Sequence, residues 1–322
     1  MKQETLALLE ECQLKTPSPG TLQKFEQALL RWQHAHIPGM RQFLGPRLPK
    51  DSEGPLLRPV PTPLFTRFEF CAGSPGATFR TSGTTTGARG SHSLPDTEAY
   101  ELSIRAGVAR LPFPLPVDHT LSLCPHASEF ADSSLAHMIH TLAPRAIQGF
   151  SRAHGVDHKL CWSRIHDARD ALFLPATALA LASLLETGKK GHLPPGSVVM
   201  ITGGYKGQQR SIPESQLHEA TVKQLGPHAR IIREYGMTEL SSQLWDWGEG
   251  YQAPPWLRVF TQHTDASGIG QLCFVDLANW GSCMAIETHD LGRVSGDLVE
   301  LHGRIPGMKA RGCSLTAEEA ML

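Results

Sequence analysis

Thr81-Ser82-Gly83-Thr84-Thr85-Thr86-Gly87-Ala88-Arg89-Gly90 is the most informative stretch of this 322-residue sequence. Small hydroxyl side chains are interspersed with glycines, whose backbone N–H groups can converge on an anion. Arg89 adds a positive charge and a bidentate fork. The combination suits a phosphate group. No Gly-Lys-Ser/Thr closes the loop, and the GxGxxG spacing of a dinucleotide site is absent. The same composition would also suit a threonine-rich surface turn, so the loop alone does not decide between the two.

Its surroundings predict an α/β chain. Towards the N-terminus, residues 64–79 alternate apolar positions, as a strand or hairpin entering the loop would. Residues 45–64 hold six prolines and predict an extended connection. Residues 1–45 predict two helices separated by Ser18-Pro19-Gly20. Downstream, a helix is expected over 96–109 with Asp96 as its N-cap, and a strand over 120–124 that ends at Pro125-His126. Helices are expected over 133–142 and 167–187. Ser197–Thr202 (SVVMIT) runs into Gly203-Gly204, and Ala229–Arg233 into Glu234-Tyr235-Gly236. Short apolar runs entering glycine loops read as buried parallel strands, with ligands beyond their carboxyl ends. Residues 256–302 become strand-rich, with turns at Gly268, Asn279 and Gly296. The expected division is an N-terminal helical segment and connection (1–64), an α/β core (65–255), a β-rich part of the same domain (256–302) and a short tail (303–322).

Composition sets the broad class. With 40% hydrophobic and 19% charged residues, the chain can bury a sizeable core. A net charge of -1 gives no general attraction to nucleic acid or anionic membrane. The most apolar run, Ala171–Leu185, is shorter than the ~20 residues of a membrane span and is interrupted by Pro175; it reads as a buried helix. Seven cysteines without a CxxC pair predict reduced thiols and a cytoplasmic protein rather than a zinc site. Sixteen histidines are scattered, without metal-ligand spacing.

The loop resembles the phosphate loop of the adenylate-forming superfamily, Ser/Thr-Ser-Gly-Ser/Thr-Thr-Gly-x-Pro-Lys-Gly. The match holds at Thr81, Ser82, Gly83, Thr84, Thr85 and Gly90; Thr86, Ala88 and Arg89 depart from it. Further segments follow in the family's order. Tyr235-Gly236-Met237-Thr238-Glu239 resembles its Tyr-Gly-x-Thr-Glu motif. The resemblance implies that Tyr235 and Gly236 border adenine, Thr238 touches the α-phosphate and Glu239 holds Mg²⁺. A carboxylate beside a triphosphate is a sensible site for a hard cation, and this reading is favoured over that of an acid at a helix start, which is also a common setting. Gly203-Gly204 resembles the segment along the adenine and acyl pocket. Asp290, in Thr288-His289-Asp290-Leu291-Gly292, would bind ribose hydroxyls, and Arg304 of Gly303-Arg304 would reach the same sugar. His126 is similar in place to a histidine at the acyl tunnel. Each of these single residues also has an ordinary structural or surface reading.

Full-length members carry a small C-terminal domain with an adenylation lysine. The expected fold is their large domain without it, and Arg89, Lys206 and Lys309 are the candidate replacement cations. Thr202-Gly203-Gly204-Tyr205-Lys206 and the terminal Arg311-Gly312-Cys313-Ser314-Leu315 are most similar to the acyl-protein synthetase branch of bacterial bioluminescence. That likeness implies a fatty acid activated with ATP and Mg²⁺, then moved to Cys313 and onward to a reductase or acyl carrier protein, with CoA as another acceptor. A thiolate attacks an acyl-adenylate readily, and Lys309 and Arg311 lie close in sequence. Two other readings stand beside it. One is an acyltransferase between CoA and a carrier protein that has lost adenylation. The other is a non-catalytic acyl-nucleotide binder.

Overall fold

The computed structural model describes residues 1–48, 57–81, 89–205 and 210–306. The described chain forms two compact units. One contains Met1–Arg110, Met237–Leu244 and the described residues from Gly250 onward; the other contains Leu111–Gly236 and Trp245–Glu249.

In the first unit, helices cover Lys2–Leu14, Pro19–His36, Pro38–Leu44 and Glu98–Ala109. The break expected at Ser18-Pro19-Gly20 is where the second helix starts: Ser18 is its N-cap, and Pro19 and Gly20 are already helical. The Ser18 hydroxyl accepts from Thr21 N at 3.2 Å, and Pro19 takes the first helical position, where a missing N–H costs nothing. The helix expected from Asp96 begins at Glu98; the Asp96 carboxylate accepts from Glu98 N at 3.1 Å.

The strand expected within 64–79 is corrected. Thr62–Thr66 is a 3-10 turn, and only Ala77–Arg80 is extended. Its partner is Ser91–Leu94, antiparallel, so the hairpin lies on either side of the loop at 81–90 rather than before it. Further on, Leu257–Gln262, Gly270–Asp276, Ala285–Ser295 and Leu298–Arg304 form an antiparallel meander. The turns fall at Gly268, Asn279 and Gly296. Gly268 and Gly296 adopt φ of 81° and 61°, a region open chiefly to glycine.

In the second unit, Phe173–Thr177, Val198–Thr202 and Arg230–Tyr235 are parallel and in register, with Thr177, Thr202 and Glu234 level at one end. Helices Ser134–Leu142, His158–Asp167, Ala178–Leu185 and Leu217–Leu225 accompany them. Trp162, Leu174, Leu179 and Val199 are among the residues of one apolar core.

The single helix expected over 167–187 is overturned. A helix ends at Asp167, Phe173–Thr177 is a strand, and the next helix is Ala178–Leu185. All five strand residues are buried, so no polar face marks a period of two, and a short apolar run of this kind reads equally well as helix. Pro175 has no N–H to offer a neighbouring strand, but its carbonyl accepts from Leu123 N at 2.8 Å. Thr177 then caps the helix, accepting from Ala180 N at 3.2 Å. Among the described residues, no helix is long and apolar enough to cross a membrane. Cys12, Cys71, Cys124, Cys161, Cys273 and Cys283 are all free and buried.

Candidate functional site

In the first unit, the base of the loop is closed by its own ends. Thr81 N donates to Gly90 O at 2.9 Å, and Gly90 N donates to Thr81 Oγ1 at 2.8 Å. A side chain at Gly90 would lie 3.2 Å from Thr81 Oγ1, a tight approach. Arg89 lies against the same base, with Nε donating to Thr81 O at 2.6 Å and Nη2 to Arg80 O at 3.3 Å. Ser82, Gly83, Thr84, Thr85, Thr86 and Ala88 fall outside the described residues, as do Lys206, Lys309, Arg311 and Cys313.

His92, on the strand leaving the loop, has no counterpart among the expected site residues. It is 1% exposed, and its Nδ1 lies 2.7 Å from Thr238 O, 146 residues away in sequence. A carbonyl only accepts, so Nδ1 carries the proton. Burial pushes the imidazole down to about 4, which keeps it neutral at pH 7.

Thr238 and Glu239 are both buried. The chain after them is held by a polar network that sequence reasoning also missed. Asp276 accepts from Ser241 N at 2.8 Å, Ser242 Oγ at 2.7 Å and Ala278 N at 3.0 Å. Trp256 Nε1 donates to both Ser103 and Ser242 hydroxyls at 3.0 Å. Asn279 accepts from Ser241 Oγ at 2.5 Å and donates to Glu239 O at 2.9 Å. Burial raises the Asp276 carboxyl to about 6 despite these donors. A carboxylate at the end of the apolar run QLCFVDL is the sequence signal that marks it.

Asp290 and Arg304, expected from two separate motifs, meet. Arg304 Nε donates to Asp290 Oδ1 at 2.5 Å from the directly opposite strand position. A bulge between Asp290 and Gly292 breaks the ladder beside them. Thr288 Oγ1 accepts from Asp290 N at 3.0 Å and fixes its backbone.

In the second unit, Glu234 and Thr202 stand level on neighbouring parallel strands, and Thr202 Oγ1 donates to Glu234 Oε2 at 2.5 Å. Burial raises the Glu234 carboxyl to about 7, with the threonine hydroxyl partly opposing it. Cys124 is fully buried and near both Thr177 and Glu234; burial puts its thiol far above the ordinary range, so it is inert. The residues after the two strands are the expected Gly203-Gly204 and Tyr235-Gly236. Gly203 has φ of 66°. A side chain at Gly204 would meet Glu214 Oε1 at 2.6 Å, and the same carboxylate accepts from Tyr205 N at 2.9 Å. Arg233, before Glu234, is ion-paired with the buried Asp246.

His126 is half-buried at the edge of a cleft of about 240 Å³ lined also by Ser128, Glu129, Gln148, Phe150 and Asp157. Its Nδ1 is 2.7 Å from Ser128 Oγ and accepts from Ser128 N at 3.3 Å, so the ring proton sits on Nε2.

Each unit therefore offers its own groups. The first unit has a closed loop base, a buried Thr-Glu pair and a carboxylate–guanidinium pair. The second has two glycine-bearing strand ends beside an acid that titrates near neutrality.

No family model and no curated protein matches the chain. Solved structures do. E. coli MenE with a bound m-phenylether-linked analogue of OSB-AMS is 16% identical, over 70% of this chain and 47% of that one, with a TM-score of 0.45. ATP-bound MatB from Rhodopseudomonas palustris is 15% identical, over 71% of this chain and 48% of that one, with a TM-score of 0.49. The McyG A-PCP complex with phenylalanyl-adenylate is 18% identical, over 74% and 43%, with a TM-score of 0.49. The chain thus spans about half the length of the solved structures it is similar to, at identities and TM-scores too low to assign it a family.

Proposed function

We propose that the protein uses ATP to activate a carboxylic acid, fatty or aromatic, as an acyl-adenylate, and then passes the acyl group to a thiol. The observation that carries the reading is the pairing of Asp290 with Arg304. Two motifs, each matched to a ribose-binding role from sequence alone, stand 2.5 Å apart on opposite strands. The ordered series from Thr81 through Tyr235–Glu239 to Asp290 supports the same reading.

Within it, Asp290 accepts from ribose hydroxyls while Arg304 holds the carboxylate in place. The loop at 81–90 takes the phosphates, and Arg89 contributes charge beside them. Gly203, Gly204, Tyr235 and Gly236 take the adenine and the adjoining acyl group, with His126 at the acyl end. Thr238 contacts the α-phosphate. Glu239 is the ligand for Mg²⁺. A single carboxylate suits this ion, which keeps most of its shell as water and phosphate oxygens; bound there, Mg²⁺ would shield the negative charge that repels an incoming carboxylate. Lys206 is the further candidate cation. Cys313 is the proposed first acceptor, and a reductase, an acyl carrier protein or CoA the next. The thiolate sulfur attacks the acyl carbonyl, a thioester bond forms, and AMP leaves with the electrons of the cleaved acyl–phosphate bond.

ATP–pyrophosphate exchange with a panel of carboxylic acids tests the first step. Acid-dependent exchange is expected; its absence with every acid refutes the proposal. Cys313→Ala should keep exchange and lose the covalent acyl-enzyme. Labelled acyl-enzyme that persists in this variant removes Cys313 from the scheme.

A further inference from the structure

Two consecutive carbonyl groups in the first unit are each held by a buried side chain. Thr238 O is met by His92 at 2.7 Å and Glu239 O by Asn279 at 2.9 Å. The two holders come from different elements: His92 from the Ser91–Leu94 strand, Asn279 from the turn after Asp276. Asn279 has little freedom, since its amide also donates to Cys283 O at 3.0 Å and its carbonyl accepts from Ser241. The His92 ring is set by the Phe65 ring, edge-on with centroids 6.1 Å apart. Its partner strand Ala77–Arg80 leads directly into Thr81 at the loop base. Two polar atoms beside this grip, His92 Nε2 and Thr238 Oγ1, are buried without a hydrogen-bond partner. Buried polar atoms are usually satisfied, and these two are exceptions.

We propose that His92 is a positioning residue that ties the Thr238-Glu239 peptide to the hairpin closing the loop, so that the Thr238 hydroxyl and Glu239 carboxylate are presented at a fixed setting relative to the loop base. Asn279 is the opposite jaw of the same clamp. The catalytic consequence rests on the adenylation reading; the clamp itself does not. A hydrogen bond to the Thr238 carbonyl needs a donor where Nδ1 stands. Asparagine places its amide there, glutamine places it one bond further out, and phenylalanine keeps the ring without a donor.

The test compares His92→Asn, His92→Gln and His92→Phe in the full chain. Hydrogen–deuterium exchange without nucleotide reads the clamp. Protection over 237–242 should fall by about tenfold in the Gln and Phe variants and stay within about threefold in Asn, as expected for one lost buried hydrogen bond. ATP–pyrophosphate exchange reads the consequence. The turnover number at saturating ATP should fall by about tenfold or more in Gln and Phe and recover in Asn. A purely structural histidine would give losses that track melting temperature, with no rescue specific to Asn; that result overturns the proposal. So does unchanged protection in folded Gln and Phe variants. If the Phe variant does not fold, the Asn–Gln contrast decides alone. If the unsubstituted protein supports no exchange with any acid, the adenylation reading fails, and the hydrogen-exchange arm still decides for or against the clamp.

Discussion

Arg304 Nε and Asp290 Oδ1 are 2.5 Å apart, and the two residues face each other in the antiparallel register of the strands Ala285–Ser295 and Leu298–Arg304. The pair is not deeply buried; the side chains are 27% and 17% exposed. Both side chains still reach the surface, so the pair can meet a ligand.

Asp290→Asn should weaken ATP binding by about 10- to 100-fold, as loss of a charged acceptor does, at a cost of about 1–3 kcal/mol in urea-unfolding stability because Arg304 loses its charged partner. Arg304→Ala should behave alike with a smaller effect on binding. Calorimetric titration with ATP beside urea melts checks both. A large stability loss with unchanged ATP affinity would show the pair to be scaffolding.

Glu234 predicts a pH signature. Its folded-state value is about 7 against an ordinary 4.5, so the folded protein holds the extra proton between those values. Its contribution is fully present below pH 4.5 and is lost as pH rises through 7. The change across that window is about 3 kcal/mol at most, from the size of the shift. Glu234→Gln should remove it. The difference between the two stability–pH curves isolates this group from His92 and Asp276, which also titrate. Parallel curves from pH 4.5 to 8 would contradict the assignment.

Asp276 is the centre of a buried network, and its removal strands donors. Asp276→Ala leaves Ser241 N, Ser242 Oγ and Ala278 N without their acceptor. The expected cost is about 2–4 kcal/mol, read by denaturant unfolding. Asp276→Asn keeps an acceptor oxygen and should cost roughly half as much.

Gly204 sits where an alanine Cβ would meet Glu214 Oε1 at 2.6 Å. The glutamate end can swing away, at the expense of its bond to Tyr205 N. Gly204→Ala should cost about 1–2 kcal/mol alone and under about 0.5 kcal/mol in a Glu214→Ala background, where the obstacle is gone. Equal costs in both backgrounds would place the strain elsewhere.

Much of the fold follows from local pattern. SVVMIT before two glycines and the run into Glu234-Tyr235-Gly236 mark two parallel strands, because an apolar run bounded by glycine has few other uses. Ser18-Pro19 and the turns at Gly268, Asn279 and Gly296 are legible from backbone preference. Phe173–Thr177 is not, since burial of every residue erases the period that separates strand from helix. The hairpin around the loop was hidden because ten residues interrupt its two short strands. Of the site, Asp290 and Arg304 were readable singly, but their contact depends on register, which neither motif contains. His92 left no local trace, because its partner is 146 residues away. Asp276 left one, a charge ending an apolar strand.

Gln33, on the helix Pro19–His36, is completely buried and serves three main-chain groups of the turn that carries Asn279. Its amide donates to Asn279 O at 2.7 Å and to Trp280 O at 3.3 Å, and its carbonyl accepts from Met284 N at 3.2 Å. The helix therefore braces the turn through one side chain. Gln33→Leu in the full chain strands these three buried main-chain groups at once and should cost about 2–4 kcal/mol in denaturant unfolding, whereas an unchanged midpoint would show that the turn stands without the helix.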